Sequence, residues 1–335
     1  MDIYATGGFT YQICDNGAPV LCDTATVTIP VSGPVIWFVQ QGASGTNDGR
    51  LNNPFTSLGS VPAVDSINDR VFVFTGTYTG GLALLSGEQL IGQGVTGTGF
   101  DNFFSITPPP GTIARPAING TRPTLQNTVT LNTNGIVRGL DITTTNSTAL
   151  ADPAGATTGV TVNEVDVSAT TATAVSFNDL TGTVTLGSTT STGGTNNVSL
   201  TTVAATVNLG SGALSGSSAG ATNHAFLVSG GAGNVTYTGS ITKANQGNVV
   251  NISGRTGGTI TLSGVINGNS SNGINVSNNT SGAPVVTFTN ASKTLNTGAN
   301  AAVTLDNNDN AAISFSGGGL AITTTSGVGF NAING

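Results

Sequence analysis

The fold is decided by residues 181–209, TGTVTLGSTTSTGGTNNVSLTTVAATVNL, in which the unit TVTL at 183–186 returns as TVNL at 206–209. The two units are 23 residues apart, and a further apolar unit, VSL at 198–200, lies between them. This period is too long for a β-hairpin and suits one coil of a solenoid. The stretch therefore predicts a chain that winds in short strands, each strand type returning once per coil.

Apolar residues continue this period along the chain in three columns. The steps within a column range from 23 to 29 residues. The first column is Leu186, Leu209, Tyr237, Leu262, Phe288 and Phe315, the second is Phe177, Leu200, Val228, Ile252, Val276, Leu305 and Phe330, and the third is Leu214, Ile241, Ile266, Leu295 and Ile322. Glycine, asparagine and serine fill the gaps, as corners need residues that tolerate left-handed backbone angles. The sequence thus predicts an all-β parallel β-helix of about ten coils with three short strands per coil.

The composition supports an all-β protein. Among 335 residues there are 49 glycines and 55 threonines, which are poor helix formers. Hydrophobic residues make up 37% of the chain, enough to bury a core. The alternative fold is an array of β-sandwiches, whose strands would come every 8 to 12 residues, roughly, without a register of three columns.

The charge balance excludes several classes of partner. The chain has 8 Lys plus Arg against 15 Asp plus Glu, a net charge of -7, and no basic cluster. We therefore expect no binding to nucleic acid or to anionic membrane surfaces. No stretch approaches the roughly 18 apolar residues that a membrane helix needs, so we expect no membrane insertion.

Residues 1–32 differ from the rest of the chain. Two alternating segments, 9–13 and 25–29, predict antiparallel strands joined by a turn between Cys14 and Cys22. A disulfide closing this hairpin would fit an oxidising compartment, and two free buried thiols are the alternative. The segments CDNG at 14–17 and CDTATVT at 22–28 resemble the end of bacterial cadherin-like or Ig-like repeats. This resemblance implies that 1–32 are the terminal strands of an upstream repeat in a longer parent chain.

An ordered set of short motifs follows the hairpin. They are VIWFV at 35–39, GASGTNDG at 42–49, NPF at 53–55, DRVFVF at 69–74, GTY at 76–78 and LIGQG at 90–94. In this order they resemble the opening of right-handed parallel β-helix domains of the pectate-lyase-like type in large bacterial surface proteins. The resemblance implies a linker and N-terminal cap at 33–70, a right-handed β-helix at 71–335, and an extracellular location at the bacterial cell surface.

The outward positions of the strands predict a grid of short, uncharged hydrogen-bonding side chains. Coils about 4.8 Å apart and i, i+2 positions about 6.7 Å apart would make this grid flat. Its candidate ligand-binding residues are Thr183, Thr185, Thr206, Asn208, Thr236, Thr259, Thr261 and Thr287. A neutral glycan or another extracellular surface is the expected partner, unless the ladders serve only to stabilise the stacked coils. Paired threonine columns also resemble the ice-binding faces of solenoidal antifreeze proteins, although Val285 and Ala312 interrupt one column.

Acidic residues limit the possible enzyme chemistry. No Asp or Glu lies between Asp179 and Asp306, which excludes a carboxylate site in the central coils. The alternative enzymatic hypothesis places Asp141 and Asp166 one coil apart with Arg138 nearby, as in a polysaccharide lyase, and adds Glu164 if Ca2+ is bound.

A structural interpretation of the same acidic group is that Arg115 and Arg138 neutralise the two aspartates. We interpret His224 as an incidental corner residue, because no carboxylate lies within forty residues of it. The sequence as a whole predicts a rigid, neutral, adhesive rod without catalytic residues or a required cofactor.

Overall fold

A computed structural model describes residues 6–30 and 33–335. The protein is all-β, with 3% helix, and it forms a parallel β-solenoid. Within the solenoid, the strands pair in parallel with their counterparts in the neighbouring coils. The predicted fold class is therefore confirmed. Pairing between coils explains why the sequence repeats only once per coil: a strand's partner is its counterpart in the neighbouring coil.

Three faces run along the solenoid. The first face consists of Ile36–Val39 (β3), Arg70–Val73 (β4), Gln89–Gly92 (β7), the first parts of Ile136–Thr144 (β10), Thr157–Ala169 (β12) and Leu180–Ser191 (β14), then Thr206–Asn208 (β16), Val235–Tyr237 (β19), Thr259–Leu262 (β22), Val285–Phe288 (β25) and Ala312–Phe315 (β28). The second face consists of Thr77–Tyr78 (β5), Thr124–Leu125 (β8), the last parts of β10, β12 and β14, then Ala213–Leu214 (β17), Ser240–Lys243 (β20), Ile266–Asn269 (β23), Lys293–Gly298 (β26) and Leu320–Thr324 (β29).

The third face is a separate ten-stranded sheet. Its strands are Leu82–Ala83 (β6), Val129–Thr130 (β9), Leu150–Ala151 (β11), Val175–Asn178 (β13), Val198–Thr201 (β15), Phe226–Ser229 (β18), Val250–Ser253 (β21), Ile274–Ser277 (β24), Val303–Asp306 (β27) and Phe330–Ile333 (β30). From β11 onward each strand follows the previous one after 23 to 29 residues, which is the predicted period.

One long segment interrupts the regular succession of coils. Residues 93–123 leave the solenoid between β7 and β8. We call this segment the excursion; it contains a one-turn α-helix, Phe100–Phe103 (α1). It covers the outward side of the first coils instead of adding turns.

The core lies inside the solenoid as one continuous cluster of aliphatic and aromatic side chains. Alternation puts Val184 and Leu186 inside, while Thr183 and Thr185 face outward. The second column stacks as predicted from Phe177 to Leu305, partner against partner. A single coil cannot bury its own apolar side chains, because the neighbouring coils cover them. The stack of coils is therefore the stable unit.

Two of the predicted columns lose their alignment toward the C-terminal end. Ile266 pairs with Lys293, and Leu295 pairs with Gly268, so a lysine occupies a core position in the third column. Leu305 pairs with Ala332, while Phe330 lies two residues earlier and is 48% exposed. In both columns the apolar residue at the expected spacing is not the residue that pairs, because the lengths of the corner loops vary between coils.

The first strand, β3, pairs in parallel with β4 and so belongs to the first face. A short 3-10 helix, Leu58–Ala63, follows it and buries Leu58 and Val61 in the core cluster. Its first turn is capped by the Ser57 hydroxyl, which accepts the N–H of Gly59 at 3.1 Å. This helix lies within residues 33–70, the segment that the sequence analysis assigns to a linker and N-terminal cap.

The N-terminal residues form a two-stranded antiparallel hairpin, Thr6–Cys14 (β1) and Cys22–Pro30 (β2). Cys14 and Cys22 face each other at its closed end and are joined by a disulfide, with their Cα atoms 4.0 Å apart. Its apolar side chains Phe9, Tyr11 and Ile13 are exposed. Residues 1–5 and 31–32, part of the segment 1–32 that the sequence assigns to an upstream repeat, lie outside the described residues.

Candidate functional site

The predicted grid is in register on the first face. Thr183 pairs with Thr206, and Thr185 with Asn208. The ladder then continues through Thr236, Thr261, Thr287 and Ser314, each paired with the next. A parallel column of outward residues contains Thr183, Thr206 and Thr259. It changes to valine at the next coil, because Thr259 pairs with Val285. We call this surface the threonine grid; its residues are Thr183, Thr185, Thr206, Asn208, Thr236, Thr259, Thr261 and Thr287.

The threonine hydroxyl groups of the threonine grid differ in their hydrogen bonding from its one side-chain amide, that of Asn208. Within the described part of the chain, no side-chain hydroxyl of these threonines bonds to another protein group. The amide oxygen of Asn208, in contrast, accepts the N–H of Gly210 at 3.0 Å. The threonine hydroxyls are therefore available to a ligand or to water, whereas Asn208 also shapes its own corner.

Residues 180–305, which carry the threonine grid, expose no ionisable group. Residues 180–305, all of them described, contain no Asp or Glu, and their three cations, Lys243, Arg255 and Lys293, are at most 1% exposed. His224 is also buried. The absence of carboxylates from residues 180–305 is evident from the sequence, but only the structure shows that the three cations are buried in the solenoid.

Lys243 lies in the interior of the solenoid among oxygen atoms. Its Nζ donates to the Ser217 hydroxyl at 3.0 Å, the Ser218 carbonyl at 3.1 Å and the Asn245 side-chain oxygen at 2.7 Å. Burial lowers the pKa of Lys243 to about 8. A signal for this position existed, since Lys243 follows Ile241 by two residues and alternation puts both side chains on the inner side.

Arg255 and Lys293 are held in the same way, by backbone carbonyls. The guanidinium of Arg255 donates to the carbonyls of Gly230, Gly233 and Gly257. Burial lowers the pKa of Arg255 to about 10. Lys293 donates to the carbonyls of Asn290, Ser316 and Gly318. Carbonyl dipoles thus take the place of carboxylate partners for all three buried cations.

The acidic group predicted near the N-terminus is only partly assembled. Asp141 and Asp166 are direct partners on β10 and β12, as their spacing indicated. Arg122, however, lies between them, and its Nη1 is 3.2 Å from the Asp141 carboxylate and 2.9 Å from that of Asp166. Sequence reasoning missed this arginine because it reaches the aspartates from the end of the excursion.

Arg138 and Glu164 form a separate pair. The Arg138 Nη2 is 2.7 Å from Glu164 Oε2, and the guanidinium lies 5.2 Å from the centre of the Phe103 ring. The other oxygen of Glu164 accepts from the N–H and hydroxyl of Thr96. Burial raises the pKa of Glu164, but these hydrogen bonds outweigh it, and the pKa is lowered.

This geometry differs at three residues from the two interpretations of the acidic group that the sequence suggests. Arg138 does not serve Asp141, Arg115 pairs with Asp101 at 3.2 Å, and Glu164 does not join the two aspartates. A register shift after Val162 and a left-handed φ of 58° at Glu164 turn its side chain away. Among the residues that the structure describes, no three His, Cys, Asp or Glu side chains form a group that could hold a metal ion.

His224 connects neighbouring coils instead of lying free at a corner. Its backbone N–H donates to the Asn196 side chain at 2.6 Å, and its Nδ1 accepts the N–H of Asn248 at 3.2 Å. Burial and the charge of Lys243 lower the pKa of His224 to about 4. The imidazole is therefore neutral at physiological pH and has a structural role.

None of the helices in the described part of the chain is long and apolar enough to span a lipid bilayer. The chain matches no protein-family model, no curated protein and no solved structure at a significant level.

Proposed function

We propose that this protein is a rigid, non-catalytic adhesive module at the bacterial cell surface. In this proposal the threonine grid binds a neutral glycan, and the solenoid holds the grid flat. The observation that carries the proposal is the complete absence of exposed ionisable groups from residues 180–305. Buried cations are costly, so placing all three inside leaves a surface suited to an uncharged partner.

Geometry supports a repeating partner. Outward side chains recur at about 4.8 Å between coils and about 6.7 Å along a strand. The hydroxyls of Thr236, Thr261 and Thr287 follow one another along the face and bond to no described protein group. Each hydroxyl both donates and accepts, as do the hydroxyls of a sugar.

The extracellular location rests on two further points. The Cys14–Cys22 disulfide is typical of oxidising compartments. The motifs at 35–94 resemble β-helix domains of the pectate-lyase-like type in large bacterial surface proteins. We propose that the Asp141–Arg122–Asp166 group closes one edge of the excursion and takes no part in catalysis.

The proposal predicts binding that is independent of salt. On an array of neutral and acidic glycans, the protein should bind neutral ones equally at about 0.1 M and about 1 M NaCl, because no ion pair contributes. Thr261→Tyr places a bulky ring in the middle of the threonine grid and should abolish binding. Thr294→Tyr, at an outward position of the second face, is the matched control and should bind as the wild type does.

Three results would contradict this function. They are binding to acidic glycans alone, binding that weakens with salt, and equal loss in the two tyrosine variants. The same proteins should be compared in an ice-recrystallisation assay. Inhibition that Thr261→Tyr removes, without glycan binding, would replace the glycan by ice as the partner of the threonine grid.

A further inference from the structure

A second apolar cluster lies outside the solenoid core, under the excursion. Phe38, Phe72 and Ile91 point outward from β3, β4 and β7, and the excursion covers them with Phe100 and Phe104. The ring centres of Phe72 and Phe100 are 5.1 Å apart, and those of Phe100 and Phe104 are 4.7 Å apart. This packing fixes the excursion to the first coils.

A cleft of about 480 Å³ opens beside this cluster. Phe100 forms part of its wall, and Leu51, Ile106 and Ile113 provide more apolar surface. The Ile113 side chain remains 54% exposed. Clefts of roughly 300 to 1,000 Å³ with mostly apolar walls are the usual sites of small ligands.

Among the residues that the structure describes, the only charged side chains in the wall of the cleft are those of Arg50 and Arg115. Their carboxylate partners, Asp48 and Asp101, do not line the cleft, so its interior meets the positive ends of both pairs. Arg115 Nε is 3.2 Å from Asp101, Nη1 donates to the Ile113 carbonyl at 2.8 Å, and Nη2 lies 3.4 Å from the Thr112 hydroxyl. Within the described part of the chain, the contacts with Ile113 and Thr112 are hydrogen bonds and use two of the five guanidinium N–H groups, whereas the contact with Asp101 is an ion pair.

We propose that the cleft binds a small amphipathic carboxylate. The aliphatic or aromatic body of the ligand lies on Leu51, Ile106 and Ile113, and its carboxylate accepts the remaining N–H groups of Arg115. An apolar wall favours a hydrocarbon body over a sugar, and the two guanidinium groups favour an anionic head. This site is independent of the threonine grid, which lies on later coils and carries no charge.

Titration calorimetry with octanoate, hexanoate and 1-octanol tests the proposal on the whole chain. Octanoate should bind saturably to one site. Hexanoate should bind about 15-fold more weakly, because each methylene group contributes about fourfold. 1-Octanol should bind about tenfold more weakly than octanoate, because it lacks the charge. Absence of saturable octanoate binding, or equal affinity for octanoate and 1-octanol, would overturn the proposal.

Variants locate the site. Arg115→Gln should weaken octanoate binding about tenfold and leave 1-octanol binding unchanged within about twofold. Ile113→Glu places a negative charge in the cleft at an exposed position and should abolish octanoate binding without affecting the fold. Val265→Glu is its matched control, since Val265 is a similarly exposed aliphatic residue at 43%, outside the cleft. Equal weakening in the two glutamate variants would show that octanoate binds elsewhere and would overturn the assignment.

Discussion

At the scale of single residues, the buried carboxyl group of Glu88 is an unusual feature. It lies at the N-terminal end of the solenoid core and accepts the N–H of Leu85 at 2.8 Å. Burial raises the pKa of Glu88 to about 8; the Leu85 hydrogen bond offsets part of this, and nearby Asp65 and Asp69 add to the rise. Asp69 itself accepts from Trp37 Nε1 at 2.9 Å.

This environment predicts a stability that depends on pH. The folded-state pKa of Glu88 is above its unfolded value of 4.5, so the folded protein holds an extra proton between pH 4.5 and about 8. The free energy of unfolding should therefore fall as pH rises through this window. Glu88→Gln should remove that decrease and stabilise the protein at pH 9 by on the order of 2 kcal/mol. Denaturant unfolding at pH 5, 7 and 9 measures the effect.

The control for Glu88→Gln is Asp309→Asn, which changes an exposed acidic residue in the same way. It should keep the pH dependence of the wild type. An unchanged slope in Glu88→Gln would show that the Glu88 carboxyl is ionised in the folded protein at neutral pH.

At the scale of elements, the excursion is fastened to the solenoid by Glu164. This residue lies at the register shift in β12 and bonds to Thr96 at the start of the excursion and to Arg138 on β10. The Arg138 guanidinium in turn covers the Phe103 ring of α1. One carboxylate thus connects two coils and the excursion.

Removing this carboxylate should loosen the excursion alone. In Glu164→Ala, amide hydrogen exchange of residues 97–117 should accelerate by about tenfold, because hydrogen bonds to a charged group stabilise by roughly 1.5 to 3 kcal/mol. Exchange in β19–β24 should not change. Glu164→Gln keeps an acceptor without the charge and should give a smaller acceleration. Equal exchange in Glu164→Ala and the wild type would mean that the aromatic cluster alone holds the excursion.

At the scale of the whole molecule, each coil contacts only its neighbours, so the effect of a core substitution should depend on its position along the axis. Ile252 is fully buried between Val228 and Val276 in the middle of the stack, and Ile252→Ala should cost about 3 kcal/mol. Ile322 is half-buried in the last coil, where Ile322→Ala should cost about 1 kcal/mol.

Guanidinium unfolding with mapping of hydrogen exchange separates these two cases. Ile252→Ala should lower the protection of coils on both sides of the substitution, whereas Ile322→Ala should affect only the C-terminal coils. Equal losses of stability in both variants would contradict stability by nearest-neighbour stacking.

The sequence by itself determined the β-solenoid, its period and the alignment of most core residues. It could do so because each strand pairs with its own counterpart one coil away, which leaves the same apolar alternation at Leu186, Tyr237 and Leu262. The in-register threonine grid follows from that alternation without further information.

Only the tertiary structure decided the position of the cations and of the excursion. Arg122 contacts Asp141 and Asp166, which lie 19 and 44 residues further along the chain. The corners vary in length, and this variation puts Lys293 opposite Ile266 in the core. Side-chain reach and corner geometry are not periodic, so no repeat in the sequence reports them. The uncharged exterior of residues 180–305 therefore depends on three buried cations, each of which also donates to a carbonyl of a neighbouring coil that comes within reach only once the coils have stacked.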